Sequence, residues 1–196
     1  MSELPGKIGI TLLAVVVAAA YLRHYGARNF LWFSDLALFL GTLAWWLESA
    51  LLASMVAVGV LLPELFWAIS LTLRLVLGRS PGGLTDYLFD ARRPRWLRLL
   101  SLFHLLLPPL LLHLLASLGY DPRAPWLWLP LALAVLAASA RFGSAEENLN
   151  WTRPPGALAG RIGRGAWLAC WIPGYFLLVV APSHLLLAAL FAPPAA

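Results

Sequence analysis

The sequence has few charged residues, and this scarcity argues against a soluble protein. Only 12% of its 196 residues are Asp, Glu, Lys or Arg, whereas 61% are hydrophobic. Soluble domains are usually about one-quarter charged and about half apolar. We therefore predict an integral membrane protein with a single transmembrane domain over residues 1–196, because this length leaves little room for a separate soluble domain.

Cysteine is almost absent as well. The single Cys170 excludes an internal disulfide and any metal site built from several cysteines. It lies in an apolar run and is interpreted as a small packing residue. The basic stretches lack the aromatic interleaving and the motifs of nucleic-acid-binding modules, so no nucleic-acid partner is predicted.

Long apolar runs are what the sequence has in abundance. With their flanks, six of them are long enough to cross a bilayer. They predict an all-α polytopic fold, a bundle of six transmembrane helices at about residues 8–25, 29–47, 50–77, 95–118, 126–142 and 165–191. Pro63 is expected to bend or loosen the third helix, because a proline removes one backbone hydrogen bond.

The basic residues predict the orientation of this bundle. Twelve of the fourteen Lys and Arg residues fall in the connections after helices 1, 3 and 5, and only Lys7 and Arg123 fall on the other side. Cytoplasmic connections carry the excess of basic residues, so both termini are predicted outside, in a bacterial-type plasma (inner) membrane. The twelve are Arg23, Arg28, Arg74, Arg79, Arg92, Arg93, Arg95, Arg98, Arg141, Arg153, Arg161 and Arg164.

Three ionisable residues are predicted inside the cytoplasmic half of the membrane. At about 1.5 Å per residue from the nearest cytoplasmic arginine, Asp35 lies ~10 Å deep, His104 ~9 Å and Glu64 ~15 Å in a core of ~30 Å. Charge is costly there, so such a residue is a functional hypothesis by default. We predict that Glu64 faces His104 and that the two form a catalytic acid–base pair, with Asp35 as the orienting carboxylate.

The polar loop between the last two helices is predicted at the same face of the membrane. Two acids and two amides beside a membrane surface can bind a cation or orient a headgroup. Glu146, Glu147 and Asn150, together with His24, are therefore predicted to contact a substrate or a cation. A divalent cation is compatible with this residue set, although the metal stays unknown, and no spacing enforces a pair of haem ligands.

A second polar group is predicted at the outer face. It consists of Glu48, His113 and His184, which the same depth estimate places far from the first group. We interpret these three as interfacial residues in contact with water, with an outward-facing cluster as the alternative.

Three functions remain open from these residues. A polar pocket open to the cytoplasmic leaflet would bind or process a lipid or an amphipathic small molecule, since the arginines attract anionic headgroups. A small transporter, or an ion or proton pathway, would use the same side chains. A structural or assembly protein would use them only to tie helices together. Whether the protein is an enzyme, and what its oligomeric state is, are left undecided.

Several segments together resemble an uncharacterised family of bacterial multi-pass membrane proteins. They read WFSD at 32–35, LPELFW at 62–67, GLTDYLFD at 83–90, SLFH at 101–104 and EENLNW at 146–151. The resemblance implies a membrane-embedded helical protein and names no activity. The acidic stretch at Glu146 and Glu147 is also faintly similar to the calcium-binding stretch of alkaline ceramidases, which are zinc amidohydrolases of membrane lipids. Their paired histidines spaced four residues apart are missing here, so no zinc ligand is assigned.

Overall fold

The computed structural model describes residues 3–191, and this part of the chain is all-helical, without a β-strand. We number six helical segments in chain order. They are α1 (Leu4–His24), α2 (Phe33–Leu47), α3 (Ala50–Leu77), α4 (Arg95–Leu118), α5 (Ala124–Phe142) and α6 (Arg164–Phe191). All except α2 are long and apolar enough to cross a membrane, which is typical of a multi-pass membrane protein.

The central helix is α3, which is 28 residues long and packs against α2, α4, α5 and α6, while α1 packs on α2. Small residues such as Ala53, Ala57 and Gly59 are buried along α3 and allow its neighbours to approach closely. Glu64 is therefore positioned by the helix with the most neighbours in the described bundle.

The helix ends form two separate layers of contacts. Arg28 pairs with Glu147 at 3.0 Å, and the His24 ring meets the Trp96 ring at 5.4 Å, so the connections after α1, α3 and α5 lie together. We call this the arginine end, because the twelve arginines lie in or beside these three connections. At the opposite end, Lys7 pairs with Glu48 at 2.9 Å, which joins the start of α1 to the α2–α3 turn.

The start of α2 differs from the prediction. A helix was expected from residue 29, but Ala27–Leu31 form a 3-10 turn, Trp32 is extended and α2 begins at Phe33. The cause is a distant side chain. The Oδ1 atom of Asn150 accepts a hydrogen bond from the Phe33 N–H at 3.1 Å, and its Nδ2 donates to the Leu31 carbonyl at 2.6 Å, which holds the backbone out of helical geometry.

Pro63 does not interrupt α3, but it releases a carbonyl that the fold uses. Because Pro63 has no N–H, the carbonyl four residues earlier, that of Gly59, loses its helical partner. The Tyr175 hydroxyl of α6 donates to this carbonyl at 2.9 Å and accepts from the Trp128 indole N–H of α5 at 2.7 Å. Three helices are thus joined one turn before Glu64.

The first half of α4 is also irregular. Residues Ser101–Leu105 form a 3-10 turn, and the α-helix resumes at Leu107. Pro108 and Pro109 cannot donate to the carbonyls of His104 and Leu105, so the backbone tightens at these residues. His104 therefore lies on a 3-10 turn inside an otherwise α-helical segment.

Candidate functional site

The predicted approach of Glu64 to His104 is confirmed. The His104 Nδ1 atom and the Glu64 Oε2 atom are hydrogen-bonded at 2.7 Å, and only 13% and 4% of the two side chains are exposed. A carboxylate and an imidazole at this distance can exchange a proton directly. The pairing is thus a feature of the structure, while its use in catalysis stays a prediction.

Aromatic rings hold the His104 imidazole in place. The Trp67 ring, three residues after Glu64 on α3, stacks on the imidazole with centroids 4.5 Å apart and planes at 17°. Phe103 makes a second stacked contact at 4.5 Å. The stacked rings restrict the tilt of the imidazole, whose Nδ1 atom is bonded to the Glu64 carboxylate. The pair is therefore preorganised by packing as well as by its hydrogen bond.

Asp35 lies near this pair but bonds elsewhere. It is buried in the first turn of α2, and its Oδ2 atom accepts a hydrogen bond from the Asn29 amide at 2.6 Å. Its carboxyl group is close enough to Glu64 for an electrostatic interaction between them. The structure thus places the predicted orienting carboxylate in the same polar region, where its hydrogen bond is to Asn29.

Two tyrosines and a serine complete the region, and sequence reasoning missed both tyrosines. The Tyr21 hydroxyl of α1 shares a hydrogen bond of 2.8 Å with Ser101 Oγ, three residues before His104. The Tyr87 ring is partly exposed, but its hydroxyl lies beside Ser101 and Trp67. Burial raises the pKa of this hydroxyl, and the carboxyl groups of Glu64 and Asp35 act in the same direction.

We call six of these residues the inner polar cluster. They come from α1, α2, α3, α4 and the α3–α4 connection, and they are Tyr21, Asp35, Glu64, Tyr87, Ser101 and His104. The sequence did not indicate that the two tyrosines belong to this cluster, because a tyrosine near a helix end is ordinarily interpreted as part of the aromatic belt.

Asn150 lies beneath the loop as a buried structural residue. In addition to its bonds to Phe33 and Leu31, its Nδ2 atom donates to the Ser139 hydroxyl at 2.9 Å, and its carbonyl accepts from the Trp171 indole at 3.0 Å. Both functional atoms of its amide therefore have protein partners. Its effect on the cluster is indirect, through the start of α2, where Asp35 lies.

The other predicted contacts lie at the surface of the arginine end. Glu147 pairs with Arg28, and Glu146 is exposed. Hydrogen bonds from its own backbone N–H and from Ser144 lower the pKa of Glu146. His24 is exposed beside Trp96. These residues flank the inner polar cluster on its arginine side and are not in contact with the Glu64–His104 pair through any described hydrogen bond.

The second predicted group divides into separate pairs at the opposite end. Glu48 binds Lys7, His113 lies 3.3 Å from Glu3, and the His184 Nδ1 atom is 2.6 Å from the Tyr120 hydroxyl. Burial raises the pKa of Tyr120 to about 12. These contacts join neighbouring helix ends, and they are distant from the inner polar cluster along α3 and α4.

Two cavities lie at the two ends of the bundle, and neither is bordered by Glu64 or His104. Within residues 3–191, no three His, Cys, Asp or Glu side chains are grouped as metal ligands. A cavity of about 630 Å³ lies at the opposite end, bordered by Tyr120, Asp121 and Phe191. A smaller one of about 180 Å³ lies at the arginine end, against Leu73 and Arg79.

Comparison with known proteins adds no family to this geometry. No family model, no curated protein and no solved structure matches the chain. Its resemblance to the bacterial multi-pass family stays a prediction.

Proposed function

We propose that the protein is embedded in the plasma (inner) membrane of a bacterium, with six crossings and with both termini outside. The gathering of twelve arginines at one end of the bundle supports this orientation. As the sixth crossing, α2 has 15 residues and is about 22 Å long. A segment somewhat shorter than the bilayer core can cross when the bilayer thins locally, at modest cost.

Within this membrane, we propose that the inner polar cluster binds a lipid or an amphipathic small molecule from the cytoplasmic leaflet and acts on it. The observation that carries the proposal is the Glu64–His104 hydrogen bond of 2.7 Å, between side chains that are almost fully buried. Polar groups are expensive at this depth, and a stacked, preorganised acid–base pair is the arrangement that general acid–base catalysis requires.

The pair supplies both proton transfers of a hydrolysis or a group transfer. Glu64 accepts the proton of water or of an acceptor hydroxyl, and the resulting oxygen nucleophile forms the new bond to the carbonyl or phosphoryl centre. His104 donates a proton to the leaving oxygen or nitrogen as the old bond breaks. The Glu64 proton then returns to His104 across their hydrogen bond, which restores the starting state.

The remaining residues have supporting roles in this proposal. Asp35 is the proposed orienting carboxylate of this region, and its hydrogen bond to Asn29 holds it at the start of α2. Glu146, Glu147 and His24 are the proposed contacts for a headgroup or a divalent cation at the surface. Asn150 acts as a positioning residue, because its hydrogen bonds fix the start of α2.

A proton pathway is the second candidate, and one observation favours it. Asp35 and Glu64 are two buried carboxyl groups within electrostatic range of each other, and the hydrogen-bonded hydroxyls of Tyr21 and Ser101 lie nearby. Acids and hydroxyls in such proximity are typical of proton relays in membrane proteins. The same variants separate the two functions.

The test is lipid turnover by the purified protein in liposomes made from bacterial lipids. We expect the wild-type protein to convert one lipid species, and Glu64→Gln and His104→Gln to reduce this rate by about 100-fold or more while remaining folded. Glu48→Gln, which changes an exposed glutamate at the opposite end of the bundle, is the matched control for Glu64→Gln. Loss of proton flux in Glu64→Gln with no lipid conversion by the wild type would establish the proton pathway instead.

A further inference from the structure

A short turn covers the inner polar cluster at the arginine end. It is the 3-10 turn Asp86–Phe89 in the α3–α4 connection, which we call the interfacial turn. Tyr87 of this turn places its hydroxyl beside Ser101 and Trp67 of the cluster region, while its ring and that of Phe89 are exposed. The interfacial turn is therefore adjacent to the inner polar cluster at its arginine end.

Polar atoms without partners are concentrated where the interfacial turn meets the helices. Within the described residues, the Arg98 Nε, the Thr85 Oγ1 and the Ser70 Oγ are buried and have no hydrogen-bond partner. Thr85 precedes the turn, and Arg98 donates to the Leu88 carbonyl at 2.6 Å. In the sequence of α3, Ser70 lies between Trp67, which is beside Tyr87, and Arg74, which is 3.7 Å from Asp86. A buried donor without a partner is destabilising, so these atoms favour a ligand that accepts hydrogen bonds.

Two cations hold the turn, and one of them faces an acid of the turn itself. The Arg74 Nε is 3.7 Å from Asp86 Oδ1, and its guanidinium lies 5.0 Å from the centre of the Phe89 ring. Arg98 contacts the same turn through the Leu88 carbonyl. Arg74 from α3 and Arg98 from α4 therefore contact the same four-residue turn, and Asp86 is the anion of that turn that pairs with Arg74.

The depth of this position relative to His104 indicates what kind of ligand fits. Arg98, Ser101 and His104 are spaced by three residues and share a face of α4, across its 3-10 turn. Six residues at 1.5–2.0 Å each place the Cα atom of His104 about 9–12 Å deeper than that of Arg98. A headgroup layer is about 5–8 Å thick, so an amphiphile with its anion at Arg98 would have its uppermost linkages and chain carbons near His104.

We propose that Arg74 and Arg98 form a subsite for the phosphate group of an anionic amphiphile, and that Asp86 occupies this subsite when no ligand is bound. Guanidinium groups match phosphate oxygens with paired, charge-assisted hydrogen bonds. The phosphate displaces Asp86, satisfies the buried Arg98 Nε and Thr85 Oγ1, and aligns the rest of the molecule with the Glu64–His104 pair. This inference rests on the proposed function and names the substrate class for the same site.

The experiment is a titration of the full-length protein, purified in a neutral detergent and followed by tryptophan fluorescence. The probes are dihexanoyl phosphatidic acid, inorganic phosphate and dihexanoyl glycerol, which lacks the phosphate. We expect phosphatidic acid to bind the wild type, and Arg98→Gln to weaken this binding about tenfold or more. Arg95→Gln, which removes an exposed arginine from the same helix turn, is the matched control and should bind as the wild type does.

The outcomes separate this subsite from the chemistry of the pair. Glu64→Gln should retain phosphatidic acid binding even if it abolishes turnover, so the two proposals fail independently. If Arg98→Gln does not fold, Arg74→Gln is expected to weaken binding to a similar degree. If inorganic phosphate binds as tightly as phosphatidic acid, the result would support the subsite and assign it to soluble phosphates. Equal binding of dihexanoyl glycerol, or equal weakening by Arg95→Gln, would overturn the proposal.

Discussion

Glu64 and His104 are stable inside the bundle because each satisfies the other. Burying a carboxyl or an imidazole without a partner costs more free energy than burying the hydrogen-bonded pair, because nothing compensates the loss of hydration. The stacking of Trp67 on the imidazole adds a geometric constraint to this mutual dependence. At the scale of single residues, the pair therefore behaves as a unit, and its two members should not contribute independently to stability.

A double-mutant cycle tests this dependence. His104→Leu leaves the Glu64 carboxyl buried without its partner, so we expect the free energy of unfolding to fall by about 3 kcal/mol. Glu64→Leu combined with His104→Leu replaces both polar groups and should recover most of this loss. Unfolding by denaturant in detergent micelles gives the values. Single variants within about 0.5 kcal/mol of wild type, with an additive double variant, would contradict the coupling.

At the scale of helices, the approach of α5 to α3 depends on one glycine. A Cβ atom added to Gly59 would lie 2.0 Å from the Trp128 Cε2 atom, far inside contact distance. The indole also donates to Tyr175, which in turn donates to the Gly59 carbonyl, so the ring cannot move away without breaking two hydrogen bonds. Overpacking at this point would displace α5, α6 and the neighbouring Glu64 turn.

We therefore expect Gly59→Ala to lower the free energy of unfolding by about 3 kcal/mol or more, because the clash adds to the lost hydrogen bonds. Gly9→Ala in α1 is the control, since nothing lies within 4 Å of its added Cβ. That change should be neutral or slightly stabilising. Thermal unfolding in detergent compares the two, and equal melting temperatures for Gly59→Ala and Gly9→Ala would show that the close contact is not decisive.

The helices were predictable from the sequence, but their irregularities were not. Apolar runs and flanking arginines mark where a helix can cross a membrane, so six helical segments were located within a few residues of their observed bounds. The start of α2 was misplaced because its cause, Asn150, lies 117 residues from Phe33 in the sequence. The use of the Gly59 carbonyl by Tyr175 is likewise a tertiary contact that no local pattern encodes.

The inner polar cluster was also predictable only in part. Depth along each helix brought Glu64, His104 and Asp35 to a common level, because the rise per residue is fixed. The direction in which each side chain points around its helix depends on packing. The common depth was enough to predict the approach of Glu64 to His104. It could not predict that Asp35 bonds to Asn29, or that Tyr21 and Tyr87 approach the cluster, because these contacts depend on packing.

At the scale of the whole molecule, the proposed topology requires that all six helices cross the membrane. Single cysteines in a Cys170→Ser background test this with a membrane-impermeant maleimide on intact cells. We expect Leu47→Cys and Pro122→Cys, at the opposite end, to label directly, and Arg161→Cys, at the arginine end, to label only after permeabilisation. Labelling of Leu47→Cys and Arg161→Cys from the same side would show that the short α2 does not cross.

The central claim, that an amphiphile reaches the Glu64–His104 pair, is tested most directly by photocrosslinking. A phosphatidic acid with a diazirine near the top of its acyl chain would be bound to the purified protein, irradiated, and its attachment sites mapped by mass spectrometry. We predict attachment concentrated at residues 64–67 and 101–104, and competed by unlabelled phosphatidic acid. Attachment spread instead over exposed apolar residues such as Leu177 and Leu178 of α6, without competition, would contradict the account.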